Sequence, residues 1–584
     1  MAGLRIEAQV LKSLRPDGEP AELTAAGLLA EDGPEYRFRH PLLAEAAYRN
    51  VPPPQRSGLH AELAQALSGV GAVAAERVSG HLIRAGQPRA ALEVLERGVS
   101  QSEEAGDLGR SATLCLAAFR LARGSEALRT SRAALEDDAI RRLFIARRWT
   151  ELDPLVRAAW SRRDQLRDAD RARLATTFAW HLFSRGSMAE SWGVIQEELG
   201  YLERTGAFRH AGPLFSTGGY VAWLRGDAEL ARRMAERGLE VARRSGDPHA
   251  LWWATHHGIH IGYRLSGDRG AAISAFSENA AAARALGLTD GEAIALWDLA
   301  CHSAAGQHIE AGLLAAGRAG AQPVMQDLQV LRAAMLLLEG QPDAAESLLV
   351  RFGHQVRLGE PVAAPWIAVS EALLYLHRGE LAAARRALHG PVSATEASRT
   401  EYHVADRAAA LGWLAWEEGR WADAVGHLNQ SVRLRHTGCW HTLMGGPGFL
   451  PLHVDALCRL GRPAEAGALI ERSGGAGADL AGLGASAVGP GAAQQSRFFA
   501  AAVAAARFRL EPSHELASAA QAAASSAPWP WLAAHCGLWR AELLGDGDRG
   551  RRGGRGALPG DRGRPWSAGG RTAAATARCP AGRA

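Results

Sequence analysis

Between Ala228 and Ser245 the apolar residues Leu230, Met234, Leu239 and Val241 roughly follow one face of a helix, with arginines and glutamates between them. Comparable stretches recur and are closed by glycines at Gly186, Gly226, Gly267, Gly306, Gly340, Gly379, Gly419 and Gly461. The successive separations are about 40, 41, 39, 34, 39, 40 and 42 residues. A polar residue or helix starter follows each one: Ser187, Asp227, Asp268, Gln307, Gln341, Glu380, Arg420 and Arg462. Five residues past each glycine stands a small side chain: Ser191, Ala231, Ala272, Ala311, Ala345, Ala384, Ala424 and Ala466. Gly86 with Ala91 is an earlier instance. A helix that ends in a tight reversal needs a residue at positive φ, which glycine adopts without a Cβ clash. The next helix then folds back antiparallel, and a small residue in its second turn lets the axes approach. Each period has room for two helices of about 15 residues, for example Ala228–Ser245 followed by His249–Leu265. The pattern predicts an all-α stack of helical hairpins over residues 71–473.

The hairpins resemble the tetratricopeptide repeat and its longer relatives, with a Gly-polar turn and an alanine near the start of the second helix. Most of the periods are longer than that family's, which is about 34 residues, so longer helices and a less regular superhelix are expected. Around Trp149 the register is poor: Arg148 takes the glycine position and Asp153 the alanine position, which predicts a looser pair. Residues 474–497, rich in glycine, alanine and serine, read as a flexible loop between repeats. Helical patterns resume over 498–546. Residues 547–584 are Gly/Arg/Ala/Pro-rich, a composition that cannot form a packed core, and read as a disordered or frame-shifted tail.

At 584 residues the chain is too long for one core, which suits an array. Lys12 is the only lysine. The net charge of +4 comes from the tail, where Arg549–Ala584 holds nine arginines against Asp561. The remainder carries about 57 basic and 61 acidic residues and is mildly acidic, with no basic stripe of the kind nucleic acid requires. The tail arginines are read as solvated rather than as a salt-sensitive nucleic-acid contact. None of Cys115, Cys301, Cys439, Cys458, Cys536 and Cys579 sits in a CxxC pair, so buried free thiols in a reducing cytosol are expected. Met1–Lys12 is not a signal peptide, and no apolar run reaches about 18 residues. The expectation is a cytoplasmic protein without membrane contact.

Residues 1–70 differ in kind. Ala21–Leu29 reads as a short helix, Leu28–Phe38 as a β-wing hairpin turning at Asp32-Gly33, and Pro41 as the first residue of another helix. A further helix runs through Leu59–Leu67. The string Phe38-Arg39-His40-Pro41-Leu42-Leu43-Ala44-Glu45-Ala46-Ala47-Tyr48, continued by Pro52, Arg56, Leu59-His60, Leu63-Ala64 and Leu67, is distinctive. So is Ala75-Glu76-Arg77 with His81-Leu82 and Ala85-Gly86. Together they resemble the junction, in large bacterial ATP-binding LuxR-type transcriptional regulators, between the winged helix of the ATPase module and a helical-repeat sensor. Related signal-transduction ATPases show a similar junction. The resemblance covers roughly Leu23–Gly86 and implies a winged-helix-like element over 1–70. It implies a sensor that binds an inducer or partner protein and restrains the ATPase. It also places a nucleotide-sensing histidine at His40, where the residues themselves read as a cap or packing group at the start of the Pro41 helix. Two parts of such regulators are not found. Lys12-Ser13 follows Leu11, so no GxxxxGK[ST] phosphate loop exists here. No compact basic reading helix follows Gly545. The expectation is therefore no enzyme activity and no DNA contact by this chain, with ATP bound only by a full-length relative. A stand-alone tetratricopeptide-like interaction scaffold is the alternative.

Other motifs carry less. His256 and His260 sit at i and i+4, a spacing zinc uses on helices, but no HExxH and no third ligand is evident nearby. No metal site is assigned, and His256, His257 and His260 read as residues of an ordinary repeat helix. Gly445-Gly446-Pro447-Gly448 and Gly474–Gly484 do not form GxGxxG. No GxSxG or triad spacing is present. Trp223, Trp252, Trp253, Trp297, Trp366, Trp413, Trp416 and Trp421 read as core anchors, with a minority lining the concave surface.

Overall fold

A computed structural model describes residues 5–14, 20–69, 75–105, 107–266, 268–303, 306–353, 364–390, 401–434, 449–481, 490–526 and 530–544. The chain is an all-α, tetratricopeptide-like α-α solenoid with one small sheet near its N-terminus. It forms two compact units, Met1–Leu155 with Arg318–Ala321, and Val156–Gly317 with Gln322–Ala584.

In the first unit, strands β1 (Arg5–Glu7), β2 (Leu29–Asp32) and β3 (Glu35–Phe38) form an antiparallel sheet in the order β1-β3-β2. Asp32 pairs with Glu35 across the expected turn, where Gly33 has φ 62°. Strand β1 has no counterpart in the sequence pattern; it pairs Ile6 with Tyr36 and exists only through that partner. The helix expected over Ala21–Leu29 is the shorter Pro20–Ala25. It stops because Gly27 turns left-handed and Leu28 N–H bonds back to Leu23 C=O, freeing Leu29 for the sheet. Val10, Leu63, Ala64, Leu67 and Val78 form one core cluster, joining helices on both sides of residue 70. The two units accordingly part at Leu155 and not at residue 70.

Hairpins follow the glycine series. Gly86, Gly186, Gly226, Gly340, Gly379, Gly419 and Gly461 all have φ from 71° to 86°. In each, the N–H of the next residue reaches a carbonyl five residues back, as Asp227 N does to Ala222 O at 3.1 Å. The small residues Ala91, Ser191, Ala231, Ala345, Ala384, Ala424 and Ala466 are all 0% exposed. Gly267 lies outside the described residues, while Ala272 beyond it is buried. Gly306 departs from the expectation, since it is the first residue of the helix Gly306–Arg318, is not among the glycines at positive φ, and Ala311 is only half-buried. The close approach is taken instead by Gly312, where a Cβ would come within 3.1 Å of Leu328.

The turn before Trp149 is a regular one in another register. Arg147, at φ 51°, is the single non-glycine residue at positive φ among the described residues. Arg147 N bonds to Phe144 O and Arg148 N to Leu143 O, both at 2.9 Å, the same pattern as Gly226 and Asp227. Arg147 thus holds the glycine position, not Arg148, and Leu152 holds the small-residue position, not Asp153.

The flexible loop expected over 474–497 is largely absent. Pro463–Ala481 and Pro490–Leu510 are helices, leaving 482–489 outside the described residues. Gly474, Gly475 and Gly477 each cost about 1 kcal/mol against alanine, yet the helix runs on through them from a stretch anchored by the buried Ala466, Leu469 and Ile470. Pro490 suits a first helical turn. The tail expected over 547–584 lies outside the described residues. No described helix is long and apolar enough to cross a membrane.

Candidate functional site

His40 occupies the N-cap of Pro41–Asn50, with extended backbone (φ −140°, ψ 136°). Its Nδ1 accepts the Leu42 N–H at 3.2 Å, and the ring is exposed. This cap uses an imidazole where a serine or aspartate oxygen is usual, and Pro41 at the first position has no N–H to satisfy. Behind it, Tyr48 Oη lies 3.2 Å from His60 Nε2, and His60 Nδ1 lies 3.0 Å from His81 Nδ1. Burial, with the neighbouring charges of His60 and Arg84, lowers His81 to about 4.

In the second unit, helices that come first in their hairpins bring aromatic rings together. Trp180, Tyr220 and Trp253, each half-buried, surround His257 at ring separations of 5.4, 5.6 and 4.7 Å. They come from Asp168–Ser184, Gly212–Leu224 and Pro248–Ser266, three consecutive first helices. The tryptophans expected as core anchors divide accordingly: Trp223, Trp252, Trp366, Trp413 and Trp416 are buried, while Trp253, Trp297 and Trp421 are partly exposed. Trp180 and Tyr220, which with Trp253 surround His257, carry no sequence signal beyond their positions ahead of Gly186 and Gly226.

The helix Pro248–Ser266 also carries a buried polar cluster. Asp247 starts its helix by accepting from His249 N at 2.9 Å and Ala250 N at 3.3 Å, with Pro248 at the first position. Counting from that start, Trp252, His256 and His260 fall four residues apart and share the inward face. Trp252 Nε1 donates to Asn279 O at 3.0 Å, and the Asn279 side-chain amide lies 3.2 Å from His256 Nδ1. His256 Nε2 is 3.2 Å from one Asp298 oxygen, and His260 Nε2 is 3.1 Å from the other. Phe276, fully buried, packs edge-on against His260 at 4.9 Å and stacks on His302 at 5.1 Å. Burial by itself would raise the Asp298 carboxyl. The charge of His260 and hydrogen bonds from both histidines outweigh it and hold Asp298 well below the usual carboxylate range. His257, facing the other way, is pushed well below its ordinary value, first by burial and then by its neighbours His256 and His260.

Asp298 corrects the sequence reading, which finds no third ligand for the His256–His260 pair. It stands about one repeat period further along the chain, on Thr289–Ser303, the first helix of the next hairpin, which meets Pro248–Ser266 at these side chains. His256, His260 and Asp298 are the one group of three among the described residues with metal-ligating atoms this close, all within 4.8 Å of one another.

Two further ionic clusters tie helices together. Arg171 Nε donates to the buried Glu198 at 2.8 Å and lies over the Tyr201 ring at 3.6 Å. Asp455, fully buried, accepts from Trp416 Nε1 and Arg459 Nε, both at 2.8 Å, and from Arg509 Nε. The described cysteines Cys115, Cys301, Cys458 and Cys536 are buried free thiols. Burial pushes Cys115 up to about 11 and Cys536 up to about 12, which makes both poor nucleophiles. Cys439, Cys579 and Gly445–Gly448 lie outside the described residues.

The hairpins define a tetratricopeptide-like helical-repeat protein. No protein-family model matches the chain, and no curated protein matches it. Among solved structures it is similar to a Signal Transduction ATPase with Numerous Domains (STAND) protein with a tetratricopeptide repeat sensor from Pyrococcus horikoshii. That similarity has 15% identity and a TM-score of 0.31, over 74% of this chain and 63% of the other. The chain thus spans under two thirds of that protein's length. It is also similar to Naa15/Naa10 bound to HypK-THB, at 12% identity and a TM-score of 0.22, over 88% of this chain and 92% of that one. The fold assignment rests on the hairpins themselves.

Proposed function

We propose that this chain is the sensor and interaction segment of a LuxR-type, ATP-dependent transcriptional regulator. One observation supports it above the others: the Phe38–Leu67 string folds as a strand, a His40-capped helix and a second helix that packs directly onto the first repeat helix, Ala75–Arg84. The half-buried rings Trp180, Tyr220 and Trp253 supply the apolar surface on which an inducer or partner protein would seat. The exposed His40 ring would face the nucleotide only in the intact regulator. The chain acts as a binding segment in the cytoplasm rather than as an enzyme, with neither ATP hydrolysis nor DNA reading of its own. Sequencing the DNA on both sides of the reading frame tests this. A phosphate-binding loop encoded upstream and a helix-turn-helix downstream are expected. Finding neither would leave the alternative, a free-standing interaction scaffold. On that alternative the core shared across residue 70 would hold the small sheet as a cap on the array.

A further inference from the structure

We propose that His256, His260 and Asp298 bind one divalent transition-metal ion, for which zinc is the best match. This does not depend on the regulator reading. Two imidazoles and one carboxylate form a donor set zinc accepts, with one position left for water or a further ligand. Zinc–ligand bonds of about 2.0–2.2 Å put adjacent tetrahedral donors about 3.3 Å apart. The two Nε2–carboxylate separations are 3.2 and 3.1 Å, one to each oxygen of Asp298, and all three donors lie within 4.8 Å of one another, so an ion would have to draw them inward to bind. The i, i+4 spacing sets both imidazoles on one helix face, and the repeat period supplies the carboxylate.

The surroundings hold the donors in place. Asn279 sits 3.2 Å from His256 Nδ1 and is itself fixed by Trp252 Nε1, which fits the outer hydrogen bond that orients a metal-binding imidazole. Without an ion, the Asn279 NH₂ donates to Nδ1, and His256 Nε2–H donates to Asp298. With an ion, the Nε2 lone pair goes to the metal. The proton then resides on Nδ1 and is donated to Asn279 Oδ1, which requires only that the amide turn over. Charge supports the same conclusion. Asp298 is buried against two imidazoles, and a dication would neutralise it more fully than they do. The ion would link Pro248–Ser266 to Thr289–Ser303, clipping one hairpin to the next.

The test uses the full chain, stripped with a chelator and titrated calorimetrically with zinc chloride. One equivalent per chain is expected at the tight site, with a rise in melting temperature. Asp298→Asn and His260→Gln should each weaken that site on the order of 100-fold, and Asn279→Ala about tenfold. His249→Ala, at an exposed histidine of the same helix, should leave it unchanged. Should the ligand variants fail to fold by circular dichroism, the unaltered chain still decides. X-ray absorption of the zinc-loaded form should show two imidazoles and oxygen donors only. No tight equivalent in the unaltered chain, an undiminished one in folded Asp298→Asn, or a coordination shell without two imidazoles would overturn the assignment.

Discussion

The reversals at Gly226 and at Arg147 have the same hydrogen-bond pattern but different residues. At Gly226 a glycine takes φ 86°, and five residues on Ala231 is fully buried. At Arg147 an arginine is held at φ 51°, and the matching site is filled by Leu152, also fully buried. A left-handed non-glycine residue costs about 1–2 kcal/mol. The turn at Arg147 therefore persists because the packing of the flanking helices imposes it. Glycine makes the reversal easy, but the buried faces dictate where it occurs. The leucine also means that this pair is filled by a large side chain where the others are filled by a methyl or hydroxymethyl group.

Exchanging the residues of the two turns would break or sharpen this contrast. Leu152→Ala should have the largest effect, leaving a cavity and lowering stability by about 3 kcal/mol in urea unfolding. A loss below about 1 kcal/mol would mean that the helices close up as they do at Ala231. Ala231→Leu should overpack the other pair and cost about 2 kcal/mol. Gly226→Arg, recreating the Arg147 situation, should cost about 1–2 kcal/mol and speed amide exchange at Asp227, read by mass spectrometry. The smallest effect is a gain: Arg147→Gly should stabilise by about 1 kcal/mol and slow exchange at Arg148. No gain there would show that the contacts of the arginine side chain offset its backbone strain.

The same contrast explains how far the sequence can be read. Repeats closed by glycine are legible because Gly226 and Ala231 are conspicuous residues in fixed positions. The sequence places the pair at Arg147 one residue too late, since neither arginine nor Leu152 marks a turn; only the apolar face of the helix records it. Gly306 misleads in the opposite sense, a glycine that opens a helix without a left-handed turn while Gly312 makes the contact. The hairpin at Asp32-Gly33 is readable from local turn chemistry, whereas β1 depends on β3, a partner far along the chain. His256 and His260 are visible as a helical pair. Asp298 is not, because its proximity arises from stacking of hairpins and leaves no mark in local spacing.

Asp455 bears on how the later helices open. One carboxylate holds a tryptophan of Glu401–Glu417, an arginine of its own helix and an arginine of Pro490–Leu510. Opening Pro490–Leu510 parts a buried arginine from the buried carboxylate, which is far more costly than losing an exposed pair, and opening Glu401–Glu417 takes away its tryptophan donor. The three helices should therefore breathe as a single unit, with their slowest amides exchanging at a common rate, where a plain row of hairpins would come apart one at a time.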